Sequence, residues 1–252
     1  MAAALAAIYR HPVKSLGVEA LDEVRLEAGQ TMPGDRVWAV AHEASKFDPA
    51  APAWVHCANF ARAAKAPQLI AVTAALAEDG ETVTFSHPHR RDLTAKPDTA
   101  EGAAAIVEWM KPLVPEGRAA PAAIARAPGR GMTDTDFPSI SLGSVATLHA
   151  LSHAARHRLS PLRFRMNLWF EGTLPWEEFE WVGHQFTLGG ARLRVAERVG
   201  RCSATTANPE TGEVDVDTLK VLRDTWGHTQ FGVYAEVIEP GLVRRGDTLK
   251  RV

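Results

Sequence analysis

Val199-Gly200-Arg201-Cys202-Ser203-Ala204-Thr205-Thr206-Ala207-Asn208-Pro209-Glu210-Thr211-Gly212 is the stretch on which the reading of this chain turns. Cys202, one of two cysteines, follows Arg201 directly and precedes two hydroxyl residues, Thr205 and Thr206. Asn208-Pro209 and Thr211-Gly212 impose a turn, because proline fixes φ and glycine tolerates positive φ. A thiolate, not a thiol, ligates metals or attacks electrophiles, and neighbouring cations favour it. An inert cysteine belongs in an apolar run; Cys202 sits among Arg, Ser and Thr.

Outward from this turn, Val216 to Thr225 predicts a short helix with Leu219 and Leu222 inward. Phe231 to Ile238 predicts the most hydrophobic late strand, and Gly246-Asp247 turns into a last strand over Thr248 to Val252. Val233, Val237 and Leu249 are the expected core residues. Upstream, Gln185–Leu188 and Arg192–Val195 read as a hairpin across Gly189-Gly190 that delivers the chain to Arg201. The set R-C-x-x-T-T-x-[DN]-P-x-T-G, G-H-x-x-F-G-V-Y-A-x-V and G-D-x-L resembles the MOSC domain. That family is named for the C-terminal domain of molybdenum cofactor sulfurase, and it includes the amidoxime-reducing branch.

The N-terminal half extends the resemblance. Leu5 to Tyr9 predicts a strand that ends at Pro12, leaving Lys14 and Ser15 on a tight connection before a strand-like run from Val18 to Leu26. Met32-Pro33-Gly34-Asp35 is a turn, and Arg36 to Val40 reads as a compact strand opening on a charge. P-V-K-S followed by G-D-R-x-W resembles the β-barrel domain that precedes MOSC in the amidoxime-reducing branch. The resemblance implies that Lys14, Ser15 and Arg36 face the anionic tail of a molybdopterin.

Trp54, Phe60, Pro67 and Leu69 match a further family segment. Trp54 to Ala64 reads as a short helix with Cys57 packed as a small hydrophobe. Leu69–Thr73 and Thr82–Ser86 read as a hairpin, His87–Arg91 as a polar turn, and Glu101–Met110 as a helix stopped by Pro112 and Pro115. The Ala-, Pro- and Gly-rich stretch from Arg118 to Thr135 reads as a crossover, dividing the chain into 1–128 and 129–252.

In the second half, Ser139–Leu142 leads into a helix from about Ser144 to Arg158, with Ser144 as its N-cap. Ser141, Gly143 and Ser144 form a natural anion seat, and a similar turn in the family implies that Ser141 and Ser144 approach the cofactor. His149, His153 and His157 share one stripe of that helix; with no nearby fourth ligand they read as a solvated face. Arg163 to Gly172 reads as a strand with Arg163, Arg165 and Asn167 on one face. Such polar groups are costly to bury without a partner, which an anionic cofactor would supply. Met166 stands where the family pattern F-R-P-N has proline. Trp176 to Trp181 supplies aromatics that close one side of a barrel.

Composition excludes several classes. The 252 residues are 46% hydrophobic and 23% charged with net charge −2, which is ordinary for a globular protein and argues against nucleic-acid or anionic-membrane partners. Two cysteines make neither a disulfide framework nor a four-cysteine cluster. The apolar opening Met1–Arg10 is short and lacks a basic leader, so a cytoplasmic location is expected. No P-loop, dinucleotide fingerprint or G-x-S-x-G elbow occurs, removing the readings those motifs carry.

The expectation is a mainly β protein with some α, a MOSC β-barrel fold plus an N-terminal β-barrel-like domain, with a cofactor cleft between them. The resemblance implies a molybdenum cofactor (Mo-molybdopterin) in that cleft, ligated by Cys202. Lys14, Ser15, Arg36, Ser141, Ser144, Arg163, Arg165, Asn167, Arg201, Thr205 and Thr206 would bind the cofactor. It also implies reduction of a small N-oxygenated substrate, with electrons from a separate donor protein: a ferredoxin, a cytochrome b5-like protein or a flavin reductase. The alternatives are a carrier of the cofactor or of persulfide sulfur, and a β-barrel that kept the motif without activity.

Overall fold

Eight strands, drawn from both halves of the sequence, build the sheet that carries Cys202 at one strand end. The computed structural model describes residues 3–252; Met1 and Ala2, the start of the apolar opening, lie outside the described residues. In chain order the elements are β1 (Ala4–Arg10), β2 (Glu19–Leu21), β3 (Glu23–Leu26), β4 (Ala39–His42), β5 (Thr73–Leu76), β6 (Val83–His87) and β7 (Arg90–Ala95). Then come α1 (Ala100–Met110), β8 (Pro121–Ala125), β9 (Ile140–Ser144), α2 (Val145–Ala155), β10 (Leu168–Glu171), β11 (Gln185–Leu188) and β12 (Ala191–Gly200). The chain closes with α3 (Thr218–Trp226), β13 (Gln230–Glu239), β14 (Gly241–Arg244) and β15 (Lys250–Arg251).

The large sheet runs β15-β11-β12-β13-β9-β10-β1-β2. Its one parallel pair, β9 with β10, is joined through α2, as a parallel crossover requires. Strands β12 and β13 are ten residues each and antiparallel, with three register shifts that bend the pair. One face buries Leu5, Ile8, Leu142, Phe170, Leu193, Val195, Val233 and Val237 together with Phe179 and Trp181. The expected core residues Val233, Val237 and Leu249 are buried, and the aromatic segment closes this core as its composition suggested. The other face packs Leu148 and Leu151 of α2 and Leu222 of α3 against Phe164, Trp169 and Phe231. Leu219 is only half-buried.

The first half does not stand apart from this sheet. Strand β1 lies between β10 and β2, and β3 pairs with β14 from Leu26↔Gly241 to Glu23↔Arg244. A bulge between Leu5 and Ala7 explains why the inward residues of β1, Leu5 and Ile8, are three apart. The remaining N-terminal elements, the β4–β8 pair, the β5-β6-β7 sheet and α1, enclose a second core of Val13, Leu16, Trp38, Leu69, Phe85 and Ile106. Thr99 caps α1 by accepting from Gly102 N, and Gly102 is needed there because a Cβ would lie 2.0 Å from Lys96 O.

Several expected elements take a different form. Arg36 to Val40 is not one strand: Arg36 has φ +51° and β4 begins at Ala39. Trp54 to Ala64 is not a helix; a single 3-10 turn, Cys57–Asn59, occupies it, capped by His56 Nδ1 accepting from Ala58 N. Pro67–Ala71 is a 3-10 turn, so the hairpin starts at Thr73. His87–Arg91 is a tight turn into β7, a strand its polar residues concealed. Arg163, Arg165 and Asn167 precede their strand: Pro161–Phe164 is a 3-10 turn, Arg165 has φ +49°, and β10 starts at Leu168. No helix among the described residues is long and apolar enough to cross a membrane.

Candidate functional site

A cleft of about 260 Å³ collects Lys14, Ser15, Arg36, Ser141, Arg163, Arg165, Arg201, Cys202 and Thr205. Of the site residues expected from sequence, Ser144, Asn167 and Thr206 do not line it. Ser144 instead caps α2, its Oγ accepting from Thr147 N and bonding Thr173 Oγ1 at 2.7 Å. Asn167 pins two elements behind the cleft wall: Oδ1 accepts from Ser141 N and Oγ, and Nδ2 donates to Tyr9 O. Thr206 Oγ1 donates to Ser203 O, and Thr205 Oγ1 donates to Cys202 O while bonding Thr218 Oγ1 at 2.6 Å. The paired threonines therefore wind the 3-10 turn Ser203–Thr206 that holds Cys202 at its start. Cys202 itself is exposed.

The cations fall into two groups. Lys14, Arg36 and Arg163 are each paired within the protein. Lys14 Nζ donates to Met132 O at 2.6 Å and to Asp134 at 2.7 Å, and Arg36 pairs with Asp35 while Nη2 donates to Arg165 O at 2.9 Å. Arg163 makes a bidentate pair with Asp215, 2.7 and 2.6 Å, and donates to Thr206 O; it braces the loop after Cys202.

Among the described residues, Arg165 and Arg201 meet no carboxylate. Arg165 donates to Gly17 O at 3.0 Å and Leu16 O at 3.2 Å, holding the turn that presents Ser15. Arg201 donates to Phe164 O and Phe231 O, with its guanidinium 5.6 and 5.7 Å from the centroids of those rings. Burial lowers Arg165 to about 9, with Arg36 adding to the shift, and burial lowers Arg201 to about 10. Even so, both remain charged at neutral pH.

The neighbouring network is tuned to match. Burial and Arg165 lower His11 to about 3, so it is neutral, although its bond to Asp35 acts in the opposite sense. Burial would raise Asp35, but the Arg36 charge and the His11 hydrogen bonds outweigh it and keep the carboxylate ionised. Burial pushes the Tyr234 phenol up, so it stays protonated at the cleft wall.

Backbone strain gathers at the same place. Five non-glycine residues among those described have positive φ, and three of them, Ser15 (65°), Arg36 (51°) and Arg165 (49°), line this cleft. Each such conformation costs on the order of 1–3 kcal/mol and persists where the surroundings enforce it, as functional sites do.

The structure adds residues that sequence reasoning missed. Cys57 is not packed as a small hydrophobe; it is half-buried and lines the cleft with His56 and Arg62, its Sγ 3.5 Å from Arg62 Nη1. Its helix does not form, so no apolar face carries it inward. Asp134 and Tyr234 also line the cleft. Tyr234 had a sequence signal, standing opposite Val233 and Ala235 in the alternation of β13, whereas Asp134 lay in a stretch read as connection. Arg62 had none. His149, His153 and His157 line a separate groove of about 880 Å³, and among the described residues no cluster of His, Cys, Asp and Glu is set to hold a metal.

The cleft thus sets an exposed thiol on a braced loop beside two half-buried guanidiniums that lack a carboxylate partner among the described residues, in a mostly β fold. Residues 133–250 match the MOSC domain and residues 2–126 the MOSC N-terminal beta barrel domain, so the chain belongs to the MOSC family, whose domains are associated with the molybdenum cofactor. Among curated proteins it is similar to mitochondrial amidoxime-reducing component 1 of Xenopus laevis, 30% identical over 129 residues, covering 46% of this chain and 37% of that protein. The match thus spans little more than a third of that relative's length. Among solved structures, the YuaD protein of Bacillus subtilis aligns at a TM-score of 0.45 with 13% identity, covering 99% of this chain and 94% of that one. YiiM of Escherichia coli aligns at 0.33 with 18% identity, covering 45% and 53%.

Proposed function

We propose that the chain binds a molybdenum cofactor in this cleft and reduces small N-oxygenated compounds there. The observation that carries the reading is the positive excess of the cleft beside an exposed thiol. Arg62, Arg165 and Arg201 line it without a carboxylate partner, next to Cys202. All three are half-buried, and a guanidinium partly withdrawn from water without a counter-charge is favoured by a bound anion. At ~4 Å and an effective dielectric of ~20, each cation–phosphate pair gains about 4 kcal/mol before desolvation. Arg165, Arg36 and Lys14, with Ser15, hold the anionic tail. Ser141 and Thr205 stand in the cleft wall with their hydroxyl protons engaged by Asn167 Oδ1 and Cys202 O, so they shape the wall.

Cys202 supplies a soft sulfur ligand suited to a metal that the pterin dithiolene also holds through sulfur. The bound cofactor supplies two-electron chemistry that removes oxygen from a hydroxylamine or amidoxime, releasing water. The chain's own part is to orient the cofactor, bind its charge and keep Cys202 at the cleft edge where a substrate can reach.

Two cysteines cannot hold a four-cysteine cluster, and no dinucleotide fingerprint is present. On this reading a separate donor protein supplies the electrons. Cofactor-loaded protein should reduce a benzamidoxime-type compound with reduced viologen, remain inert with NADH or NADPH alone, and recover turnover when a ferredoxin or b5-type donor with its reductase is added. Direct turnover with NADH would overturn the separate donor. The exposure of Cys202 also suits a second reading, a carrier of cofactor or persulfide sulfur; full molybdenum occupancy with no turnover from any donor would select it.

A further inference from the structure

A second cavity, about 190 Å³, opens where the end of β4, the loop Phe60–Ala66 and the segment Val114–Ala119 after α1 meet. Its charged lining is wholly basic, Arg62, Lys65 and Arg118, joined by the His42 ring and set against an apolar wall that includes Phe60 and Val114. No carboxylate lines it, and none of the four side chains forms an ion pair among the described residues. In a chain of net charge −2 this local excess is not a matter of composition.

The frame is fixed by backbone bonds on three sides. Ala61 N donates to Val40 O, Lys65 N and Ala66 N both donate to Arg62 O, and Glu43 N donates to Ala120 O, each at 2.9 Å. His42 Nε2 lies 2.7 Å from Ala58 O, which can only accept, so Nε2 carries a proton; Nδ1 is buried with no partner.

We infer that this cavity binds a tetrahedral oxyanion of phosphate size, either free or as the terminal phosphoryl group of a larger molecule. Three cations, Arg62, Lys65 and Arg118, around one small space repel one another, and an anion among them removes that repulsion. Arginine forks match the oxygen geometry of phosphate, while lysine contributes a point charge. At about 30 Å³ of liquid per water the space holds roughly six waters, enough for one oxyanion with part of its hydration. Arg62 lines both this cavity and the Cys202 cleft, so an anion here engages a side chain the cleft also uses. The inference does not depend on the cofactor reading.

The test is calorimetry and NMR of the His42 ring signals in the full chain, titrated with inorganic phosphate, with phenyl phosphate, and with chloride as the control. Phosphate should shift the His42 ring signals. The doubly substituted Lys65→Gln/Arg118→Gln protein, whose altered side chains are exposed, should bind at least about tenfold more weakly, a loss of ~1.4 kcal/mol. Lys65→Arg should retain binding. If phenyl phosphate binds as tightly as phosphate, the cavity takes a phosphoryl terminus; if only phosphate binds, it takes the free ion. Unmoved His42 signals at saturating phosphate, or unchanged affinity in the double variant, would overturn the inference.

Discussion

Arg165 shows how one side chain can serve both the fold and the cleft. Its guanidinium is spent on the carbonyls of Leu16 and Gly17, and its backbone sits at φ +49°, yet no carboxylate neutralises it. Arg165→Ala should therefore lower pterin occupancy by about 1.5–3 kcal/mol, the worth of a charge-assisted hydrogen bond, and Arg36→Ala should act likewise. Pterin content of the purified variants checks this, and full occupancy in the double variant would remove both residues from the site. Arg165→Lys separates charge from geometry, because lysine keeps the cation but cannot span two carbonyls as the fork does.

Glu178 makes a different prediction at the same scale. It is fully buried, accepts from Thr147 Oγ1 at 2.8 Å through Oε2, and leaves Oε1 without a partner. Burial raises it to about 7, with the Thr147 bond acting in the opposite sense. The fold thus favours the protonated acid. Its stabilising contribution is present below the ordinary carboxyl range and is lost as pH rises through about 7. At about 1.36 kcal/mol per pH unit the loss is of order 3 kcal/mol. Denaturant titrations should show stability falling between pH 5 and 8 by that order, and Glu178→Gln should flatten the dependence and be the more stable protein at pH 8.

Among elements, the β13 strand shows what a motif glycine does. Gly232 has φ +75° inside a strand, and a Cβ there would lie 2.2 Å from the Met166 methyl and 2.7 Å from Leu142 O. The side chain could yield on the Met166 side, but the β9 backbone could not. Gly232→Ala should destabilise by a few kcal/mol through combined strain and overpacking, read as a lowered denaturation midpoint.

Elements also mark the limit of the sequence reading. Ser144, Gly189-Gly190 and the hydrophobic run of β13 announced a cap, a hairpin and a core strand because each signal is local. Arg36 and Arg165 gave no local sign of left-handed backbone, a conformation disfavoured for side chains with a Cβ and enforced here by tertiary contacts. Cys57 was misread for a related reason. The helix inferred around it lacks the packing that would stabilise so short a segment, and the chain instead runs as an irregular loop along the cleft.

At the scale of the whole molecule, the expected division at 128/129 is crossed by the sheet itself. Residues 4–26 contribute β1, β2 and β3; β1 pairs with β10 and β3 with β14 from the far half, while β2 extends the sheet beyond β1. Without them, β10 would present an unpaired edge over the core formed by Leu168 and Phe170. Residues 129–252 expressed alone should therefore fail to unfold cooperatively, whereas the full chain should show one transition. A cooperative, soluble 129–252 fragment would mean that the sheet closes without its N-terminal strands. The same interleaving brings Arg165 to the cleft of Lys14 and Arg36 from more than a hundred residues away, a convergence that no spacing rule in the sequence contains.

The central claim is that Cys202 ligates molybdenum in that cleft, and the second thiol on the same wall makes the test sharper. Wild-type, Cys202→Ser and Cys57→Ser proteins, purified from a molybdenum-replete host that makes the cofactor, can be compared by metal analysis. A neutral hydroxyl is a poor ligand for a thiophilic metal. Molybdenum should be retained in wild type and Cys57→Ser and lost from Cys202→Ser; equal molybdenum content in the two serine variants would contradict the assignment.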